Sequence, residues 1–193
     1  MKLKLTILAF ALFIARAYAQ TNNTISIMYA PGSGDVNIHG AIGDFGYKSK
    51  PSKAFGLGYT RQVKKFLSFE TGLAYSQSDV EETSFPSGHL NTYYDKINLI
   101  TIPLLVRLNF LKFFYGDAGI TADIQTNYTS SSLAPKQTGI GIEAGLGAKY
   151  SFRSVALFVS PYAQYHGLKK FDRTGRNFEL LNSGVKLGVG YNF

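Results

Sequence analysis

Cysteine is absent from this 193-residue chain, which excludes disulfides, thiolate zinc sites, a cysteine nucleophile and a lipid-modified cysteine at an export cleavage site. No apolar run reaches the ~20 residues that a helix needs to cross a bilayer. A mean hydropathy of −0.02 is likewise far too polar for a bundle of such helices. Histidine is scarce: three scattered residues, His39, His89 and His166, without cysteine, carry little metal-binding signal. Neither a metal site nor a cofactor is expected. The formal charge is +8, but there is no basic run and no RNA-binding signature, so nucleic acid is not an expected partner.

What is present is glycine and aromatic side chains: 20 Gly, 15 Phe and 13 Tyr. That composition favours strands, turns and interfacial rings over helices. The amino terminus reads as a secretory signal peptide over Met1–Ala19. Lys2 and Lys4 precede an apolar stretch from Leu5 to Ile14, and Ala17-Tyr18-Ala19 supplies a small-x-small cleavage site before Gln20. Residues 20–193 are then expected to form one domain.

Within that domain period-two alternation recurs to the end, and the fold class is all-β. Val185, Leu187, Val189, Tyr191 and Phe193 share one face of the last segment, opposite Lys186, Gly188, Gly190 and Asn192. The same pattern runs through 67–76, 100–109 and 140–150. Further strands fall near Thr24 to Ala30, Ala54 to Arg61, Phe113 to Gln125 and Val155 to His166, making eight. Short turns are expected near Gln62 to Lys65, Phe110 to Lys112 and Ser151 to Ser154. Long polar loops are expected at Pro31 to Lys53, Gln77 to Asp95, Thr126 to Gln137 and Gly167 to Ser183. Such short and long alternation is what an eight-stranded antiparallel up-and-down transmembrane β-barrel needs, with turns and both termini periplasmic and loops extracellular.

The charge pattern turns that barrel inside out relative to a soluble one. Glu70, Arg107, Asp117, Asp123, Glu143, Lys149 and Lys186 all fall on the small polar face, and eight strands leave an interior just wide enough to be filled by side chains. Glu70, Arg107, Asp117, Glu143, Lys149 and Lys186 are therefore expected to form a lumen charge network, read mainly as a plug. The aliphatic face would meet lipid, with Tyr75, Tyr150, Tyr191 and Phe193 as border anchors. A soluble lipocalin-like carrier is the alternative that alternation alone leaves open. The absence of tryptophan and the terminal Phe193 argue against it.

The terminal run Gly188 to Phe193 resembles the carboxy-terminal assembly signal of outer-membrane proteins. That resemblance implies that Val189, Tyr191 and Phe193 are read by the barrel assembly machinery. Ile100-Thr101-Ile102-Pro103-Leu104-Leu105-Val106-Arg107 and the glycine-rich stretch Gly139 to Gly147 are similar to strands of the PorT-like outer-membrane β-barrel family of Bacteroidota. The resemblance covers the mature chain and implies fold and an outer-membrane location more than any chemistry.

Other residues carry weaker signals. Lys169, Lys170, Arg173 and Arg176 could contact lipopolysaccharide phosphates, although a solvated basic loop has the same composition. Ser33, Asp35, His39 and Asp44 evoke a lipid acyltransferase only by composition, and Phe85, Pro86, Tyr93 and Tyr94 an adhesive tip. His89 and His166 read as polar fillers at the loop rim. The expected role is non-enzymatic: structural, adhesive or in envelope interaction with outer-membrane lipid, lipopolysaccharide or another envelope or extracellular partner. A small porin-like pore and a lipid-modifying enzyme are the alternatives.

Overall fold

The computed structural model describes residues 23–38, 46–48, 50–84, 91–127, 137–171 and 178–193; the expected signal peptide lies outside them. Eight long strands make up the described chain. They are β1 (Asn23–Ile38), β2 (Lys50–Lys64), β3 (Leu67–Ser84), β4 (Asn91–Phe110), β5 (Phe114–Gln125), β6 (Gly139–Phe152), β7 (Val155–Lys170) and β8 (Phe178–Asn192). A three-residue piece, Gly46–Lys48, pairs with the far end of β3 through Gly46 and Thr83 and so prolongs the row of β2.

Each strand pairs antiparallel with its sequence neighbours, and β1 pairs with β8 to close the ring. The closure runs from Thr24 opposite Asn192 to Ile38 opposite Phe178. It is locked at its end by reciprocal main-chain bonds, Asn23 N–H to Phe193 O at 3.0 Å and Phe193 N–H to Asn23 O at 2.9 Å. Phe193 is thus part of the seam that closes the ring. A closed ring leaves no row of unpaired N–H and C=O groups along a strand edge, which a hydrocarbon medium would not tolerate.

Alternation decides which face is which. Ile27 is 62% exposed and Leu146 66%, whereas Thr121 and Asp123 are each 1% exposed and His166 0%. The apolar face points outward and the polar face inward, the reverse of a water-soluble barrel. Outward rings gather toward the turns, where Phe110 and Phe114 lie 6.4 Å apart, Phe113 and Tyr150 6.2 Å, and Tyr191 and Phe193 6.5 Å. On the loop side Tyr29 meets Phe55 at 4.7 Å. Aromatic belts of this kind suit the headgroup level of a bilayer.

The three turns are tight: residues 65–66, 111–113 and 153–154. Two of them are reached through positive φ at non-glycine residues, Leu111 at 57° and Arg153 at 53°. The strands run further toward the loops than alternation indicates. β1 continues to Ile38, β3 to Ser84 and β7 to Lys170, while β4 starts at Asn91 and β8 at Phe178. Three of the four expected loops therefore shrink, and only Thr126 to Gln137 keeps its expected extent. The physical reason is that apolar alternation marks the lipid-facing part of a strand, while main-chain pairing continues into water, where side-chain polarity no longer alternates.

Inside the ring, space is set by pairing bulky rings with residues that lack a side chain. A Cβ on Gly188 would lie 2.1 Å from the Phe158 ring, and one on Gly147 would lie 2.4 Å from the Tyr115 ring. Gly188→Leu is therefore expected to prevent closure. In a gel-shift assay of heat-modifiable migration, the wild-type chain should give a compact band and the variant only the unfolded band; a compact band from the variant would contradict this packing.

Candidate functional site

The inward face is built in layers from the turns upward. Nearest the turns, Arg107 of β4 sits in the lumen at 8% exposure. Its guanidinium donates to Asp117 Oδ2 at 3.1 Å, ion-pairs with Glu70 and lies 3.9 Å from the centre of the Tyr115 ring. Thr60 donates to Glu70 Oε2 at 3.4 Å. A charge held this far from bulk water persists only with partners of this quality. The next layer is Lys186 paired to Glu143, with the ammonium 4.9 Å from the Tyr162 ring.

The third layer is centred on a residue that the sequence places at the rim. His166 is fully buried, and its Nδ1 lies 2.9 Å from Asp123 Oδ2. Asp123 also accepts from Thr101 at 2.8 Å and from Thr121 at 3.2 Å. On the other side His166 Nε2 is 3.2 Å from Asn182 Nδ2, and Asn182 Oδ1 accepts from Ser78 at 3.4 Å. The proton assignment that gives every group a complementary partner puts N–H on Nδ1, toward the carboxylate, and leaves Nε2 to accept from the amide.

This chain of bonds crosses the lumen. Asp123 on β5 reaches His166 on β7 over the intervening β6, where a Cβ on Gly141 would come within 2.8 Å of Asp123 Oδ2. Ser78 on β3 reaches Asn182 on β8 past β2 and β1, and on β1 a Cβ on Gly34 would come within 2.9 Å of Asn182 Oδ1. Missing side chains on the strands between are what let non-neighbouring strands touch. Above this layer Ile97, Leu99 and Leu180 are at most 1% exposed, and the buried Gln137 donates its N–H to Gln125 Oε1 at 2.7 Å. Among the described residues, apolar side chains and glutamines thus line the loop-side lumen.

The expected charge network is accordingly divided. Glu70, Arg107 and Asp117 form one cluster, and Glu143 with Lys186 another. Lys149 joins neither. It lines a polar cavity of about 280 Å³ at the turn end, together with Thr24, Thr60, Gln62, Ser68, Ser151, Arg153 and Asn192. Deeper, this space narrows to about 40 Å³ against Glu70, Arg107 and Phe158.

Other candidates scatter. Ser33 lies 3.5 Å from Ser183 Oγ, Asp35 is exposed on β1, and His39 and Asp44 fall outside the described residues. Lys169 is exposed near the loop-side end of β7, the main chain of Lys170 ends that strand, and Arg173 and Arg176 lie outside the described residues. Phe85, Pro86 and His89 also lie outside them, and Tyr93 and Tyr94 are described only as backbone of β4. Among the described residues no group of three or more His, Asp or Glu is arranged to hold a metal.

Alternation of apolar residues alone does not point to the His166 hub. Parity alone finds it: Ala156, Ser160, Gln164 and His166 share one face of β7, and all are buried.

A family model described as "Outer membrane protein beta-barrel domain" matches residues 5–193. Among solved structures, the fold is similar to that of the outer membrane protein OprG from Pseudomonas aeruginosa. The two share 14% identity with a TM-score of 0.56, over 89% of this chain and 95% of that one. The fold is also similar to the outer membrane protein AlkL in lipid bilayers, at 12% identity and a TM-score of 0.52, over 91% and 92% of the two chains. No curated protein matches.

If the cross-lumen layer holds the ring together, Asp123→Ala should lower unfolding stability by about 3 kcal/mol, since it leaves His166, Thr101 and Thr121 without their shared acceptor. A double-mutant cycle with His166→Leu, read by urea unfolding in detergent, should show a coupling of roughly 1–3 kcal/mol. Simple additivity would mean that the two side chains do not act as a unit.

Proposed function

Because the chain belongs to the outer membrane protein beta-barrel domain family, we propose that it is a non-conducting, non-enzymatic barrel that acts through its loop-side surface on an envelope or extracellular partner. The observation that carries this reading is the filled lumen: paired charges in two layers, the His166 bridge, then Ile97, Leu99 and Leu180. Ions crossing it would have to displace these paired groups.

The shape of the loop side supports the choice of working surface. β3 and β4 continue as a hairpin past the apolar layer, from the pair Asp79 and Lys96 to the pair Ser84 and Asn91. Six further residue pairs at strand rise carry it about 20 Å beyond. β5, in contrast, stops at Gln125 opposite Leu99. A ribbon standing proud of one side of a rigid ring suits contact with a partner, not passage of a solute. The non-enzymatic part of the reading rests on the hub itself. His166 Nε2 faces the amide of Asn182 instead of a serine hydroxyl, and no solvent reaches it.

This reading takes the chain as PorT-like and of Bacteroidota type. It puts the turns and both termini in the periplasm and has Val189, Tyr191 and Phe193 read by the assembly machinery. Lys169, Lys170, Arg173 and Arg176 are taken as contacts for lipopolysaccharide phosphates at the loop side.

Planar-bilayer recordings of the refolded chain should show no ion conductance. Opening the loop-side lumen with Leu99→Gly, His166→Gly and Leu180→Gly together should create it. Steady conductance from the wild-type chain would contradict the proposal and favour a small channel. Replacing the four basic residues by Gln should weaken capture of lipopolysaccharide about tenfold; unchanged capture would remove that contact.

A further inference from the structure

The side chains of the three turns carry charge of one sign. Arg61, Lys64 and Lys65 lie at the first turn, Lys112 at the second, and Lys149 and Arg153 at the third. No Asp or Glu occurs in residues 61–69, 109–116 or 148–156. The outermost of these cations rest on rings that face outward. Lys64 is 6.0 Å from the Phe66 ring and Lys112 5.4 Å from Phe113, whereas Arg153, 5.4 Å from Phe152, also lines the rim of the lumen cavity. Lys149 differs, for it points into the lumen mouth and has no carboxylate partner there. The nearest acid on the cavity wall, Glu70, is already engaged by Arg107 and Thr60.

Around Lys149, Thr24, Thr60 and Gln62 have spent donors on Asn192, Glu70 and the Lys65 carbonyl, while other donors stay unspent. Ser68 Oγ accepts from Asn109 Nδ2 at 3.0 Å, so its own hydroxyl proton is free to be donated inward. Asn192 Oδ1 accepts from Thr24 at 2.7 Å, which leaves the Asn192 Nδ2 group to donate. The Ser151 hydroxyl lines the same wall. A cavity of about 280 Å³ with an ammonium, a guanidinium at the rim and several free donors is matched by a small anion with several acceptor oxygens. Its floor, formed by Glu70, Arg107 and Phe158, makes it a blind vestibule that can hold an anion without passing it on.

We propose that this vestibule is an oxyanion-binding site for a phosphate group, with Lys149 as its central charge and Arg153, Ser68, Ser151 and Asn192 as its donors. The phosphate could be carried by a small water-borne monoester or by a phospholipid headgroup at the bilayer surface, since the donor set reads the same group in both. The site is independent of whether the barrel conducts or which partner its loop side meets.

The test uses the full mature chain refolded into phosphatidylcholine nanodiscs, titrated with inorganic phosphate and with glycerol phosphate, and followed by ³¹P line broadening. Saturable binding is expected, weakening with added salt. Lys149→Gln should reduce affinity about tenfold or more, while Lys149→Arg should retain most of it. Lys64→Gln and Lys112→Gln, on the outward turns, should change it by less than about twofold. Heat-modifiable migration checks that each variant is folded. If Lys149→Gln fails to fold, Arg153→Gln and Ser151→Ala serve in its place, each with a partial loss expected.

Repeating the titration in phosphatidylglycerol nanodiscs identifies the source. Weaker apparent phosphate binding by the wild-type chain but not by Lys149→Gln means that headgroups occupy the site. Unchanged affinity assigns it to a water-borne anion. Absence of saturable binding by the wild-type chain, or full affinity in folded Lys149→Gln, would overturn the proposal.

Discussion

Hydrocarbon offers no hydrogen-bond partner, so every main-chain N–H and C=O of a spanning strand must be satisfied by another strand. The rest of this molecule follows from meeting that demand with eight strands. The ring has to close, and the closing pair is the first strand against the last, from Thr24 opposite Asn192 onward. Closure fixes the radius, the radius fixes a narrow interior, and the interior must then be filled by side chains already committed to facing inward. Apolar residues are needed on the lipid side, so the inward positions fall to small and polar ones. That is why the interior of this barrel is a polar network instead of an aliphatic core.

A polar interior carries its own constraint, since each buried charge or amide needs a partner. Here some partners sit on adjacent strands and others reach over an intervening strand. Arg107 draws Glu70 of β3 and Asp117 of β5 to itself, Lys186 holds Glu143, and Asp123, His166 and Asn182 form a bridge between strands that are not neighbours. The bridge depends on the absence of a side chain at Gly141 and Gly34 as much as on the polar groups themselves. Lys149 lies outside this pairing, in the polar cavity at the turn end, so the plugged lumen and the open vestibule are two outcomes of one distribution of charge.

The fold was legible in the sequence because alternation is a local signal and membrane strands keep it strictly. The last strand shows it: Val185, Leu187, Val189 and Tyr191 all face outward, and the pattern needs nothing but parity to be read. Legibility faded where lipid no longer enforces alternation. The strand ends 79–84 and 91–96 are paired with each other throughout, yet read as loop because their sequence carries no apolar alternation. Partner choice in the lumen was less legible still. Membership of the inward face follows from parity, but whether Glu143 meets Lys186 or Lys149 depends on the stagger of strands around the ring, a quantity set by all eight registers together. Parity puts His166 on the inward face, but its sequence position reads as the rim for the same reason. Its depth is set by its register opposite Leu180 and its closeness to Asp123 across β6, neither of which is local in sequence.

The absence of cysteine makes the central claim directly measurable, because any single introduced cysteine can carry a unique spin label. Labels placed one at a time from Thr101 to Val106, a stretch without glycine, in the refolded chain in lipid bilayers, report collision with lipid-soluble oxygen and with a water-soluble nickel reagent. Strict period-two alternation is expected, with oxygen accessibility high at 102, 104 and 106 and both reagents excluded at 101, 103 and 105. Alternation of the opposite phase, or nickel access at the inward positions midway along the strand, would contradict an inside-out barrel with a filled lumen.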